Sequence, residues 1–151
     1  MSTTPTERRS VWVLNGPNLG RLGSREPEVY GNASYDDIVQ ACQQAGQSLE
    51  LDVEVRQTDD EAELVSWLHE SADHSIPVVL NPAAFTHYSY SVRDAVSQRT
   101  APLIEVHLTN PAAREEFRHN SVVASVASGT IAGFGLASYL LALQAISHEP
   151  Q

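Results

Sequence analysis

Glu105 and His107 stand two residues apart in the apolar run Pro102-Leu103-Ile104-Glu105-Val106-His107-Leu108. On a strand that spacing puts both side chains on one face, where a carboxylate beside an imidazole fixes its tautomer and raises its basicity. Burying such a pair is costly unless it is used, which makes function the stronger reading. Arg114 and Arg118 follow at helical i, i+4 spacing and offer two guanidinium groups to a carboxylate. The plainer alternative is a surface ion pair with Glu115 and Glu116, which suits Arg114 better than it suits both.

A second set lies near the start of the chain. Val11 to Asn15 reads as a short strand, after which Gly16, Pro17, Gly20, Gly23, Pro27 and Gly31 forbid regular structure for about sixteen residues. A loop of that length is functional or disordered, and Leu19, Leu22, Val29 and Tyr30 are too apolar for a solvated linker. It therefore reads as a lid or binding loop carrying Asn18, Arg21, Arg25 and Tyr30, a set able to hold an oxyanion and, through Tyr30, to exchange a proton. Alone, Tyr30 reads better as a plug onto the core. Arg25 changes that: a phenol near pKa ~10 needs roughly two to three units of depression to act as a base at neutral pH, about 3–4 kcal/mol, and a nearby guanidinium in a closed site can supply it.

The third set is Asn81-Pro82-Ala83-Ala84-Phe85-Thr86-His87, with Arg93-Asp94 on the element that follows. Individually Asn81 and His87 read as turn and capping residues; as a group with Asp94 they suit the hydroxyls of a polyhydroxylated small molecule. His87, His107, His119 and Glu105 can be imagined as one metal set, but no His-x-x-x-His or His-Glu-x-x-His spacing supports it, and no metal is assigned. Gly129, Gly133 and Gly135 lack the dinucleotide fingerprint and are expected to permit close helix packing, so no cofactor is assigned either.

The chain's 151 residues, 42% of them hydrophobic, suit a single catalytic domain over 1–151, with a polar tail at 1–9. A net charge of −10 argues against nucleic acid or an anionic membrane as partner. With no membrane-length apolar run and no signal-like stretch, a cytoplasmic protein is expected. All nine basic residues are arginines. Without lysine there is no Schiff base, no covalent pyridoxal phosphate and no P-loop. Cys42, the one cysteine, falls on an apolar helical stripe and reads as a buried structural thiol.

Positioning these sets requires a regular alternation of elements. Ser34 caps a helix over 34–49, Leu51 to Arg56 alternates as an edge strand, and Asp60 with Glu63 forms a capping box before the Leu64, Trp67, Leu68 stripe. Ile76 to Leu80 is a central strand, 88–96 a helix, 102–108 another central strand, and 112–118 a short helical turn. Ser121 to Ala127 reads as the last strand, and Ser128 as the start of a long apolar helix through Ile146. The pattern specifies an α/β, flavodoxin-like three-layer sandwich with a five-stranded parallel sheet in the order 2-1-3-4-5. The loops after strands one, three and four then meet at the carboxyl edge, where such folds bind ligands. A flavin carrier of the same fold would need hydroxyls between Gly16 and Gly23, and a phospho-receiver would need Asp at position 81 and a late lysine; none is present. A non-catalytic sugar-acid binding protein stays open on the residues alone.

Taken together, Leu14-Asn15-Gly16-Pro17-Asn18-Leu19-Gly20-Arg21-Leu22-Gly23, Arg25-Glu26-Pro27, Tyr30-Gly31, Asn81-Pro82, Thr86-His87, Arg93-Asp94-Ala95, Glu105-Val106-His107 and Arg114-Glu115-Glu116-Phe117-Arg118 resemble the type II 3-dehydroquinate dehydratases, from about Val11 to Leu143. The resemblance implies a cytoplasmic shikimate-pathway enzyme without metal or cofactor, assembled as a homododecamer, a tetramer of trimers. It implies anti elimination of water from 3-dehydroquinate through an enolate. Tyr30 would take the proton alpha to the ketone, Arg25 would lower its pKa, and Asn18 would hold a water against the enolate. His107, oriented by Glu105, would protonate the departing hydroxyl. Asn81, His87, Asp94, Arg114, Arg118 and the amides of Leu108 and Thr109 would bind the hydroxyls and carboxylate. The sequence departs from the family pattern at Ala83 and Ala84, where glycines are common, at Tyr88, and at Thr109 in place of serine.

Overall fold

The computed structural model describes residues 8–23, 28 and 32–149. Arg25 and Tyr30, with Val29 and Gly31, lie outside the described residues. Five strands, β1 (Arg9–Asn15), β2 (Leu51–Gln57), β3 (Val78–Asn81), β4 (Leu103–His107) and β5 (Gly129–Ala132), form one parallel sheet in the order β2-β1-β3-β4-β5. Helices α1 (Tyr35–Ser48) and α4 (Ala137–Ser147) cover one face, where Ile38, Cys42, Tyr139 and Leu143 meet Val11, Val13, Val79 and Val106. Helices α2 (Glu61–Asp73) and α3 (Tyr90–Ser97) cover the other, where Leu64, Leu68, Val92 and Val96 meet Leu14, Val78, Leu80 and Leu103. Alternation of facing residues along each central strand is what feeds two cores from one sheet.

Local chemistry sets the boundaries. Ser34 and Asp37 close a reciprocal capping box at the head of α1. At the head of α2 the Asp60 carboxylate instead accepts from the Ala62 amide at 2.9 Å, a single cap where a box with Glu63 was expected. Cys42 is fully buried, and burial pushes its thiol up to about 12, as befits an inert core residue. Leu19 and Leu22 are buried against the α1 side of the sheet, so the loop after β1 is packed where it is described.

Several expectations about the last third of the chain fail. Residues 121–127 are not a strand. Their β-branched run forms a 3-10 turn at Ala124–Val126, because the Ser121 hydroxyl accepts from the Val123 and Ala124 amides and so curls the chain back on itself. The edge strand comes after it, at Gly129–Ala132, pinned by a paired exchange of hydrogen bonds between Ser128 and Leu103. Nor does a helix start at Ser128. Gly133 and Gly135 adopt φ of +96° and +60°, turning the chain after β5 so that α4 begins only at Ala137; their role is in the turn, not in close helix packing. The segment 112–118 is likewise two 3-10 turns, Pro111–Ala113 and Glu116–Arg118, separated by extended backbone at Arg114 and Glu115.

Candidate active site

A cleft opens at the carboxyl edge of the sheet. It is lined from β1's loop by Asn18, from β3's loop by Asn81, Ala83, Ala84 and His87, and from β4's end by His107, Leu108 and Thr109. Arg114 and Arg118 close one side. This is the point between β1 and β3 where crossovers leave the sheet in opposite directions, and where the loops part to admit a ligand.

Glu105 is 1% exposed and sits behind the cleft wall. Its Oε2 accepts from His107 Nε2 at 2.6 Å and from the Thr86 hydroxyl at 2.5 Å. Ser121 Oγ approaches Oε1 at 2.9 Å. Burial alone would raise the Glu105 pKa, but the bond and charge of His107, with the hydroxyls of Thr86 and Ser121, outweigh it and hold the carboxyl below the usual range. A carboxylate only accepts, so His107 carries its proton on Nε2 and leaves Nδ1 as the nitrogen that can exchange one. Thr86 entered the sequence reading only as part of the Thr86-His87 motif, without a role, and Ser121 only as the start of an expected strand. They lie 19 and 16 residues from Glu105 along the chain, and the available signal was indirect: a buried carboxylate requires donors from somewhere.

His87 Nδ1 donates to the Asn120 carbonyl at 2.8 Å, and its ring packs edge-on against Phe117. That leaves Nε2 as an acceptor in the neutral ring. Burial lowers its pKa, and the nearby His107 and Arg118 push the same way, against the Asn120 carbonyl and Glu105.

Asn81 is 3% exposed. Its Nδ2 donates to the Tyr139 hydroxyl at 2.8 Å, its Oδ1 accepts from the Ala83 amide at 3.1 Å, and the Tyr139 hydroxyl in turn donates to Asn15 Oδ1 at 2.7 Å. The ends of β1 and β3 are thus tied through α4 by a neutral knot that sequence reading missed, because Tyr139 sits in an apolar helix like any core aromatic. Gly16 allows the same approach in the backbone: its amide meets the Asn81 carbonyl at 2.8 Å, and a Cβ there would fall 2.6 Å from the Pro82 oxygen.

Asn18 holds a left-handed conformation, φ +70°, and its amide donates to Asp59 Oδ1 at 2.8 Å. Gln57 bonds both the Gly16 carbonyl and Asp59, fixing the base of the loop. Arg118 Nε donates to Glu115 Oε2 at 2.5 Å, and Arg114 Nη2 lies 4.0 Å from Glu115 Oε1. Both arginines therefore line the cleft and also share one exposed carboxylate. Their convergence comes from the bend at 114–115, not from helical spacing. Asp94 is the residue the structure keeps apart: it is exposed on α3 and does not line this cleft. Among the described residues no group of three acidic, histidine or cysteine side chains is placed to hold a metal ion.

Compared with known proteins, residues 9–147 match the family described as Dehydroquinase class II. A 3-dehydroquinate dehydratase of Salinispora tropica is 62% identical over 133 residues, covering 88% of this chain and 93% of that protein. One from Mycobacteroides abscessus is 52% identical over 135 residues, covering 89% and 94%. The crystal structure of a type II dehydroquinase from Propionibacterium acnes superposes with a TM-score of 0.92 at 53% identity, covering 93% of this chain and 97% of that one.

Proposed function

This chain belongs to the class II dehydroquinase family, and from that premise we propose that it removes water from 3-dehydroquinate to give 3-dehydroshikimate, by anti elimination through an enolate, in the shikimate pathway that leads to chorismate and the aromatic amino acids. The observation that carries this reading is the Glu105–His107 pair opening on a cleft that two arginines also line. Elimination of a hydroxyl beta to a ketone needs a base for the alpha proton, an oxyanion partner for the enolate and an acid for the leaving group. In this reading His107 Nδ1 delivers the proton to the departing hydroxyl, while Glu105 stabilises the imidazolium and fixes its tautomer. Tyr30 acts as base with Arg25 lowering its pKa, and Asn18 orients a water against the enolate oxygen. Arg114 and Arg118 with the Leu108 and Thr109 amides take the carboxylate, and Asn81 and His87 the ring hydroxyls; Asp94, outside the cleft of its own chain, takes part only if a neighbouring copy brings it there. No step calls for a metal or cofactor.

The assembly proposed is a homododecamer, a tetramer of trimers, in the cytoplasm. Tyr88, Tyr90, Phe117, Phe134 and Leu141 are exposed on the single chain, which supports burial against further copies. Among the described residues no helix is long and apolar enough to cross a membrane.

Mixing the protein with 3-dehydroquinate and following the ultraviolet absorbance of the conjugated enone tests the function directly. A steady rise at catalytic protein concentration is expected, and stable binding without product would replace the enzyme by a sugar-acid binder. Borohydride added with substrate should leave activity intact, because the sequence has no lysine to trap.

A further inference from the structure

Proton counting around Glu105 reaches beyond the acid and its carboxylate. Ser121 Oγ accepts from two backbone amides, Val123 at 3.1 Å and Ala124 at 3.0 Å, so both its lone pairs are engaged and its single proton must be donated. The partners within reach are Glu105, at 2.9 and 3.1 Å, and Thr86 Oγ1 at 2.7 Å. Thr86 gives its own proton to Glu105 Oε2. His107 gives Nε2–H to the same oxygen. The cradle thus aims donors at one carboxyl group, and a protonated Glu105 would leave one of them without an acceptor.

We propose that Thr86 and Ser121 are positioning residues that weaken the hold of the Glu105–His107 pair on the proton it binds at His107 Nδ1, so that the imidazolium gives that proton up readily. The proposal rests on the reading of His107 as the acid of the dehydration. Its physical basis is the proton affinity of the pair as a unit. Each donor to the carboxylate stabilises the state with neutral imidazole and ionised Glu105. Removing a donor raises the pair's affinity for the next proton, whether that proton settles on His107 Nδ1 or on Glu105. The other charged groups facing the pair are His87 on β3's loop, and Arg118 and His119 on the turn after β4. They are the same in every variant considered, and Thr130, facing from β5, does not titrate.

The test is a titration of the His107 ring by NMR in the ligand-free, full-length protein, for wild type, Thr86→Val, Thr86→Ser and Ser121→Ala, with the pH profile of kcat measured beside it. Thr86→Val removes the donor at nearly constant volume. It should raise the apparent pKa of the pair by about one unit, roughly tenfold in proton binding, the scale of one hydrogen bond to a charged group. Thr86→Ser keeps the hydroxyl and should restore the wild-type value, which mere loss of packing would not predict. Ser121→Ala should shift the pKa the same way and carries the test if Thr86→Val fails to fold. An unchanged or lowered pKa in the folded variant overturns the proposal. If the ring titration moves while the alkaline limb of kcat stays put, the cradle stands and the assignment of His107 as the acid falls.

Discussion

The carboxyl edge of the sheet is held by two buried polar clusters that solve the same problem differently. Around Glu105 the cluster is charged, borders the cleft through His107, and gathers side chains from β4, the turn after β3 and the segment before β5. Around Tyr139 it is neutral, fully buried, and ties β1 to β3 through two carboxamides. Among the described residues no buried side-chain nitrogen or oxygen lacks a partner, so both clusters meet the requirement that burial imposes on polar atoms. They differ in whether a proton can leave. Burial drives the Tyr139 phenol upward in pKa, with Asn81 pulling weakly the other way, so it serves as a fixed donor. The Glu105–His107 pair has one nitrogen left to exchange. Proton transfer belongs to the first cluster, while the second sets geometry, including that of Asn81 at the cleft.

The largest expected effect breaks the charged cluster at its exchanging nitrogen. His107→Asn should lower kcat on 3-dehydroquinate by about 10²–10⁴-fold, the usual range for a lost general acid, with far-UV circular dichroism unchanged. A rate within a few-fold of wild type would move the acid elsewhere. Arg118→Ala is milder: it removes charge that binds ground and transition states alike, so KM should rise by more than kcat falls. An unchanged KM would take Arg118 out of carboxylate binding and leave it as the partner of Glu115.

The neutral knot should answer the opposite way. Tyr139→Phe leaves Asn15 and Asn81 each short of a partner and should cost about 1–3 kcal/mol in denaturant unfolding, while lowering kcat far less than His107→Asn does. Acid separates the clusters again. Glu105 has a folded pKa below its ordinary 4.5, so the stability it contributes is present above that value and is lost as pH falls through the folded pKa. The stability gap between wild type and Glu105→Gln should therefore shrink on acidification below about pH 4.5, whereas the gap between wild type and Tyr139→Phe should hold, the phenol being protonated in both states throughout. Parallel pH curves for the two variants would erase the distinction.

Periodicity and spacing were enough to place the sheet order, the ends of α1 and the Glu105–His107 face, because each is written in contiguous residues. What escaped was written at long range or in competing local bonds. Ser121-Val122-Val123 has the composition of a strand, yet one hydroxyl capping two amides curls it into a turn. Gly133 and Gly135 read as packing residues until their positive φ shows a turn between β5 and α4. Thr86, Ser121 and Tyr139 gain their roles only once the fold has closed distances of 16 to 124 residues. Asp94 follows the family motif but stands outside the cleft of its own chain.

The smallest effect concerns Ala83, at the junction of the knot and the cleft. Its φ is +52°, in the left-handed region where a Cβ crowds the following carbonyl and glycine rests without penalty. The backbone stays there because the Ala83 amide is held by Asn81 Oδ1, whose own orientation is set by Tyr139. The methyl group therefore strains the floor of the cleft, and the neutral knot supplies the force that maintains it. Ala83→Gly relieves that strain but also frees the unfolded chain, so the net gain should be below about 1 kcal/mol. In the Tyr139→Phe background the knot no longer enforces the turn. Glycine should then stabilise by less than in wild type, because an alanine freed from the restraint relaxes by itself. A double-mutant cycle in denaturant reads this coupling, and strictly additive changes would show that Ala83 and Tyr139 act independently.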